Sequence, residues 1–223
     1  MSNGNLTDSP TTPPPATLAE AFELHGIDLP ASQVAHLAEY CELLWAWNEK
    51  LNLTRHTDYE TFAIRDVVDT LQLAELIPEG DEVLDVGTGG GVPGVPLAII
   101  RPDLQVSLCE SVGKRANAVA DIVENLKLPV PVFHERAEDH LEEERYDSVV
   151  ARGVAPLWKI LTWFDSHWLA IGKLYLIKGS RWLDERGEAR HRGLMHKLDL
   201  RKIAEYQTPK TGAQNVILQI RPK

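Results

Sequence analysis

The chain has 223 residues, 43% of them hydrophobic and 25% charged, with a formal net charge of −10. These values are ordinary for a soluble globular protein and allow one large α/β domain, with or without a small extension. They exclude a membrane-spanning helix, since no apolar run approaches the roughly 20 residues required, and the acidic balance argues against a general nucleic-acid binder.

Residues 1–16, MSNGNLTDSPTTPPPA, carry neither the basic start nor the apolar core of a signal peptide, and their Pro, Thr and Ser content predicts a disordered tail. Thr17 and Glu20 fit a capping box that opens a short helix, which Gly26 would stop. Ser32 is the predicted cap of a second helix, whose apolar residues Val34, Leu37, Ala38, Cys41, Leu44 and Trp45 recur at steps of three and four. Asp58 is the predicted cap of a third, mostly apolar helix that Pro78 and Gly80 break. Residues 17–80 therefore read as a helical extension.

The pattern then changes. Strands are predicted over Glu82–Val86, Leu104–Cys109, Val130–His134, Tyr146–Ala151 and Lys173–Ile177. Helices alternate with them over Gly94–Arg101, Gly113–Lys127, Glu138–Glu143, Pro156–Trp168 and Trp182–Lys197. Lys202–Tyr206 and Val216–Ile220 close the chain as an antiparallel pair. For residues 81–223 this predicts a Rossmann-like, mostly parallel seven-stranded sheet with helices on both faces.

Val83–Pro96 reads VLDVGTGGGVPGVP. In an open α/β sheet, ligands bind beyond the carboxyl ends of the strands, where the strand order reverses. Gly87, Gly89 and Gly91 remove side chains where the backbone must turn sharply and approach a ligand. The helix that follows points unpaired N–H groups at the same place. Two cofactor classes use such turns, and the register Gly89-x-Gly91-x-x-Gly94 satisfies the dinucleotide pattern. Asp85 stands two residues before the glycines. Its carboxylate would repel a pyrophosphate and suit the amino group and sulfonium of S-adenosylmethionine. Glu110, at the end of the next strand, could hold the ribose hydroxyls of either cofactor. Asp85 thus favours a class I S-adenosylmethionine-dependent methyltransferase. An NAD(P)-dependent oxidoreductase and a non-catalytic RNA-binding protein of ribosome assembly stay open as alternatives.

Several segments together resemble the bacterial ribosomal RNA small-subunit methyltransferase G (GidB) family. They are WNEKLNLTR over Trp47–Arg55, RDVVDTL over Arg65–Leu71, DVGTGGGVPGVPL over Asp85–Leu97, SVGKR over Ser111–Arg115, ARGVAPL over Ala151–Leu157, and Ile177-Lys178-Gly179. The resemblance implies methylation of N7 of one guanine in the 530 loop of 16S ribosomal RNA, with S-adenosylmethionine as cofactor and the RNA or the small ribosomal subunit as partner. It implies that Gly87 and Val92 line the cofactor pocket, that Ala137 and Glu138 lie beside the adenine, that Glu110 holds the ribose, and that Arg152 faces the cofactor. No acid or base catalyst stands out, which suits a nucleophile with a free lone pair. Arg152 and Lys178 are then candidates for positioning RNA or cofactor, Lys178 having a solvated strand end as its alternative. Arg55, Arg65, Lys114, Arg115, Lys178 and Arg181 are candidate RNA contacts.

Departures from the family pattern fall on the RNA side. Asp66 stands where His is usual, placing an anion near the presumed RNA entrance. Gly153 stands where Ala is common, and Gln214 and Asn215 where an Arg-His pair is usual. Residues 173–202 hold nine Lys/Arg against four Asp/Glu, leaving fourteen against twenty-nine elsewhere. That segment reads either as a solvated helix or as an edge facing a polyanion. Of the six tryptophans, all but Trp182 are expected in the core. Cys41 and Cys109 read as buried thiols in a reducing cytoplasm, the eight histidines show no metal-ligand spacing, and a monomer is expected.

Overall fold

The structure, a computed structural model, describes residues 13–223, so most of the predicted tail lies outside the described residues. Helix α1 (Leu18–His25) opens on the expected cap, Thr17 Oγ1 accepting from the Glu20 N–H, but the Glu20 carboxylate reaches past Thr17 and accepts from the Ala16 N–H instead of closing the box on the cap residue. Gly26, in the left-handed region, closes it. Helix α2 (Ala31–Asn48) starts one residue before the predicted cap. Pro30 occupies the cap position, its carbonyl taking the N–H groups of Gln33 and Val34, so Ser32 is already inside the helix.

Asp58 does cap the third helix, accepting from the Thr61 N–H at 2.7 Å. This helix is not regular. It runs as α3 (Tyr59–Thr61), a π-helical stretch over Phe62–Val67, and α4 (Val68–Ala74). The π turn is invisible to a 3.6-residue hydrophobic period, and such turns concentrate at functional sites. Here it carries Asp66, which together with Asp69 on the next turn faces one arginine of the sheet.

The α/β part follows as β1 (Glu82–Val86), α5 (Gly94–Ile100), β2 (Gln105–Cys109), α6 (Gly113–Asn125), β3 (Val132–Phe133), α7 (Ala137–Glu143), β4 (Tyr146–Arg152), α8 (Leu157–Trp163), β5 (Ile171–Gly179), α9 (Trp182–His191), β6 (Leu198–Gln207) and β7 (Gln214–Pro222). The strands form one sheet in the order β3-β2-β1-β4-β5-β7-β6. The first five are parallel, and β7 is antiparallel to both β5 and β6. Strand β3 is shorter than expected because Pro131 has no N–H to give the ladder; pairing begins with its carbonyl, which accepts from Leu108. The closing hairpin is longer than expected, with charged residues along edge strand β6 and a bulge between Lys202 and Ala204.

Successive strand residues point to opposite faces, and two buried clusters result. Val83, Val150, Tyr175, Ile177 and Ile217 face one cluster, with α1, α2, α5 and α6. Leu84, Val149, Leu174, Leu176 and Leu218 face the other, with α7, α8 and α9. Leu18, Leu37, Leu44 and Leu73 from the helical extension belong to the first cluster, so extension and sheet share one core. All six tryptophans are half-buried and pack against these clusters, Trp182 included, contrary to its expected exposure.

Tyr40 of α2 is fully buried, and its hydroxyl donates to the Gly90 carbonyl at 2.9 Å, tying the extension to the glycine turn. Tyr40→Phe leaves that carbonyl without its partner. It should cost about 1–2 kcal/mol in urea unfolding, with the m-value unchanged.

Candidate functional site

Strand order reverses at β1, whose neighbours are β2 on one side and β4 on the other. The glycine turn sits at the carboxyl end of β1. Gly87 adopts φ +65°, and a Cβ there would lie 2.9 Å from both methyls of Val154. Gly87 and Thr88 donate to the Cys109 carbonyl, and Gly91 and Val92 donate to that of Thr88. The turn opens onto a cleft of about 950 Å³. A second cavity of about 80 Å³ shares Gly87 and lies over Cys109, Ala137, Glu138 and Trp163.

The predicted cofactor residues divide into a lining and a support. Gly87, Gly89, Val92 and Arg152 line the large cleft, and Gly87, Ala137 and Glu138 line the small one. Gly91 lies under the turn, against Val95 and Val119. Asp85 does not face the cleft, contrary to the expectation from its place in the sequence. It is buried beneath the turn, where Oδ2 accepts from the Thr88 hydroxyl at 2.6 Å and from the Gly94 N–H at 2.9 Å. Its Oδ1 is buried with no hydrogen-bond partner. Glu110 is buried as well, accepting from Gly89 and Val112 N–H groups at 3.0 and 2.8 Å. Like Asp85, it lies outside the lining of both cavities.

Arg152, at the end of β4, is held between two acids. Its guanidinium lies 2.7 Å from Asp66 Oδ1 and 2.9 Å from Asp69 Oδ2. Tyr206 of β6 donates to the other Asp69 oxygen at 2.7 Å, and His56 Nε2 lies 3.2 Å from Asp66 Oδ2. Burial works to raise the Asp66 carboxyl, but Arg152 and His56 outweigh it and hold the group below its ordinary range. Asp66 is therefore not an anion exposed at an entrance, as expected from sequence, but a buried counter-ion. Lys178 is no solvated strand end either: its Nζ donates to the Ala155 carbonyl and to Glu185, at 2.6 and 2.9 Å.

Arg55, Arg65 and Arg115 are exposed, line the cleft and make no ion pair among the described residues. Lys114 and Arg181 are exposed but lie outside the cleft lining. Of the nine cations in residues 173–202, only Lys178 lines it. Asn215, noted as a departure, lines it too, its amide donating to Thr208 at 2.8 Å. Sequence reasoning missed His56, Asp69 and Tyr206. The available signal was a pair of acids inside an otherwise apolar helix, which demands a cationic partner.

The sheet order, the antiparallel β7 and the glycine turn at the reversal define a class I methyltransferase. The O-methyltransferase from Bacillus cereus, solved in complex with SAH, shares this fold at a TM-score of 0.60 and 15% identity, over 91% of this chain and 97% of that one. A family model described as rRNA small subunit methyltransferase G matches residues 33–216. Ribosomal RNA small subunit methyltransferase G of Rhodopirellula baltica is 49% identical over 86% of this chain and 83% of its own length. The protein of that name in Cronobacter sakazakii is 35% identical over 76% and 82%. The chain belongs to the rRNA small subunit methyltransferase G family. The oxidoreductase and non-catalytic alternatives find no support among these relatives.

Burial pushes the Asp85 carboxyl from its ordinary 3.8 up to about 6, against the hydrogen bonds from Thr88 and Gly94. The folded protein thus retains a proton that the unfolded chain releases near its ordinary value. The stability this proton contributes is complete below about pH 4 and is lost as pH rises through about 6. Asp85→Asn should flatten the slope of unfolding free energy between pH 4 and 6, read by urea titration at stepped pH.

Proposed function

We propose that this protein transfers the methyl group of S-adenosylmethionine to N7 of one guanine in the 530 loop of 16S ribosomal RNA. The family match over residues 33–216 carries the reading. Bound in the cleft, the cofactor would supply a sulfonium-activated methyl group. The chain fits it: a glycine turn without side chains, a small cavity beside it, and an orphaned buried carboxylate oxygen on Asp85 suited to a cationic group. In this reading Ala137 and Glu138 hold the adenine, Glu110 the ribose, and Gly87, Gly89 and Val92 the wall between them. Asp85 acts from beneath, keeping the turn in shape and biasing the cleft toward positive charge.

N7 of guanine carries a free lone pair, so no proton leaves before attack. The chain's own contribution is placement of the base and electrostatic support for charge arriving on the purine. Asp66 and Asp69 bind Arg152, and His56 binds Asp66, in one group that lines the cleft. Arg152 sets the geometry of that group, and Lys178 braces the loop after β4 through the Ala155 carbonyl. Arg55, Arg65 and Arg115 meet the RNA backbone at the cleft mouth. The protein acts as a monomer in the cytoplasm, on RNA or on the small subunit. Residues 17–80 and 81–223 are its two parts.

Tritium from labelled S-adenosylmethionine should enter small-subunit RNA and map by mass to a single 7-methylguanine. Label confined to another base, or none, would overturn the assignment. Because ionised Asp85 favours a cationic ligand, cofactor affinity measured by calorimetry should rise between pH 5 and 7 and stay flat in Asp85→Asn. Replacing Arg55, Arg65 and Arg115 together by Ala should weaken RNA binding. The slope of log K against log salt should fall by about 2–3, at roughly 0.7–0.9 for each of three phosphates that are no longer neutralised.

A further inference from the structure

The chain between α2 and α3 forms a wall of the cleft that no regular element provides. Asn52, Leu53, Thr54, Arg55 and His56 all line it. Leu53 packs on the glycine turn, where a Cβ at Gly90 would lie 3.4 Å from the Leu53 Cβ. Both ends of this strap are tied by side chains. At the far end, His56 Nε2 is 3.2 Å from Asp66 Oδ2. At the near end stands Asn48, the last residue of α2. Its Oδ1 accepts from the Leu53 N–H at 2.8 Å and from the Thr54 N–H at 2.9 Å.

Asn48 is not serving its own helix. The end of α2 is closed by backbone alone: Glu49 donates to the Trp45 carbonyl, and Lys50 and Leu51 donate to that of Trp47. The Asn48 oxygen instead reaches residues five and six places on and fixes two consecutive peptides immediately before Arg55. Arg55 is exposed and makes no ion pair among the described residues, so the strap backbone sets where its guanidinium can reach.

We propose that Asn48 is a positioning residue for RNA recognition: its side-chain oxygen holds the Leu53–Thr54 backbone so that Arg55 meets a phosphate of the substrate RNA while Leu53 stays on the glycine turn. This rests on the RNA reading given above. Asn48 acts only through the strap and touches no reacting atom. Its essential property is an acceptor oxygen, which Asp supplies and Leu, of similar size, does not.

The test compares Asn48→Leu, Asn48→Asp, Arg55→Ala and the double variant Asn48→Leu/Arg55→Ala. Asn48→Leu should raise KM for small-subunit RNA about tenfold and leave kcat within about twofold. Asn48→Asp should restore the wild-type KM. The double variant should be no worse than Arg55→Ala alone. Leu53 N–H also donates to the Leu51 carbonyl, at 2.7 Å, so the reporter is Thr54, whose amide hydrogen exchange should quicken in Asn48→Leu and return to normal in Asn48→Asp. Additive losses in the double variant, no rescue by Asp, or unchanged exchange would overturn the proposal. If the wild-type protein transfers no methyl to ribosomal RNA, the function proposed above falls. Exchange and filter binding of the same RNA then still decide the role of Asn48.

Discussion

The turn after β1 presents N–H groups at Gly89 and Gly94 that no ladder or helix partner accepts, and two buried carboxylates take them. Asp85 and Glu110 come from the ends of adjacent parallel strands, which places both acids under one turn. Burying two carboxylates is costly unless each is well bonded. Here that cost has a structural result: the backbone cannot relax away from the acids without stranding them. The cleft, its small side cavity and the start of α5 all take their positions from this arrangement.

Charge around the cleft is sorted by depth. Arg152 and Lys178 are cations with partners, committed to Asp66, Asp69 and Glu185. Arg55, Arg65 and Arg115 stand outside them, exposed to solvent. An acidic protein of net charge −10 can thus present a positive rim to a polyanion, while the cations deeper in the cleft are matched by acids.

Much of this was legible in the chain. The strands announced themselves as short buried runs between helical periods, and Thr17, Gly26 and Asp58 marked helix ends through local hydrogen bonding alone. The cofactor turn was legible because its requirements are local: glycines where side chains would collide, an acid at the strand end. Ser32 misled because Pro30 competes for the same role with a fixed φ. The Arg152 group was hidden because its members lie far apart, 83 residues from Asp69 to Arg152 and 137 from Asp69 to Tyr206. Asp66 registered only as a departure from a pattern. Its burial, in a π turn that hydrophobic period does not encode, supplies the missing reason.

Strand β6 precedes β7 in the chain yet lies outside it in the sheet, so it joins the sheet only through the antiparallel hairpin it forms with β7. The hairpin itself is local, whereas its seam with β5 joins segments far apart in the chain, and such non-local pairings are the slower to form. Tyr206 rides on β6 and delivers its hydroxyl to Asp69. The buried charge group beneath the cleft is therefore completed by an edge strand of the sheet. A chain with an unfinished sheet edge carries an incomplete site, and assembly of the fold and readiness of the cleft become the same event.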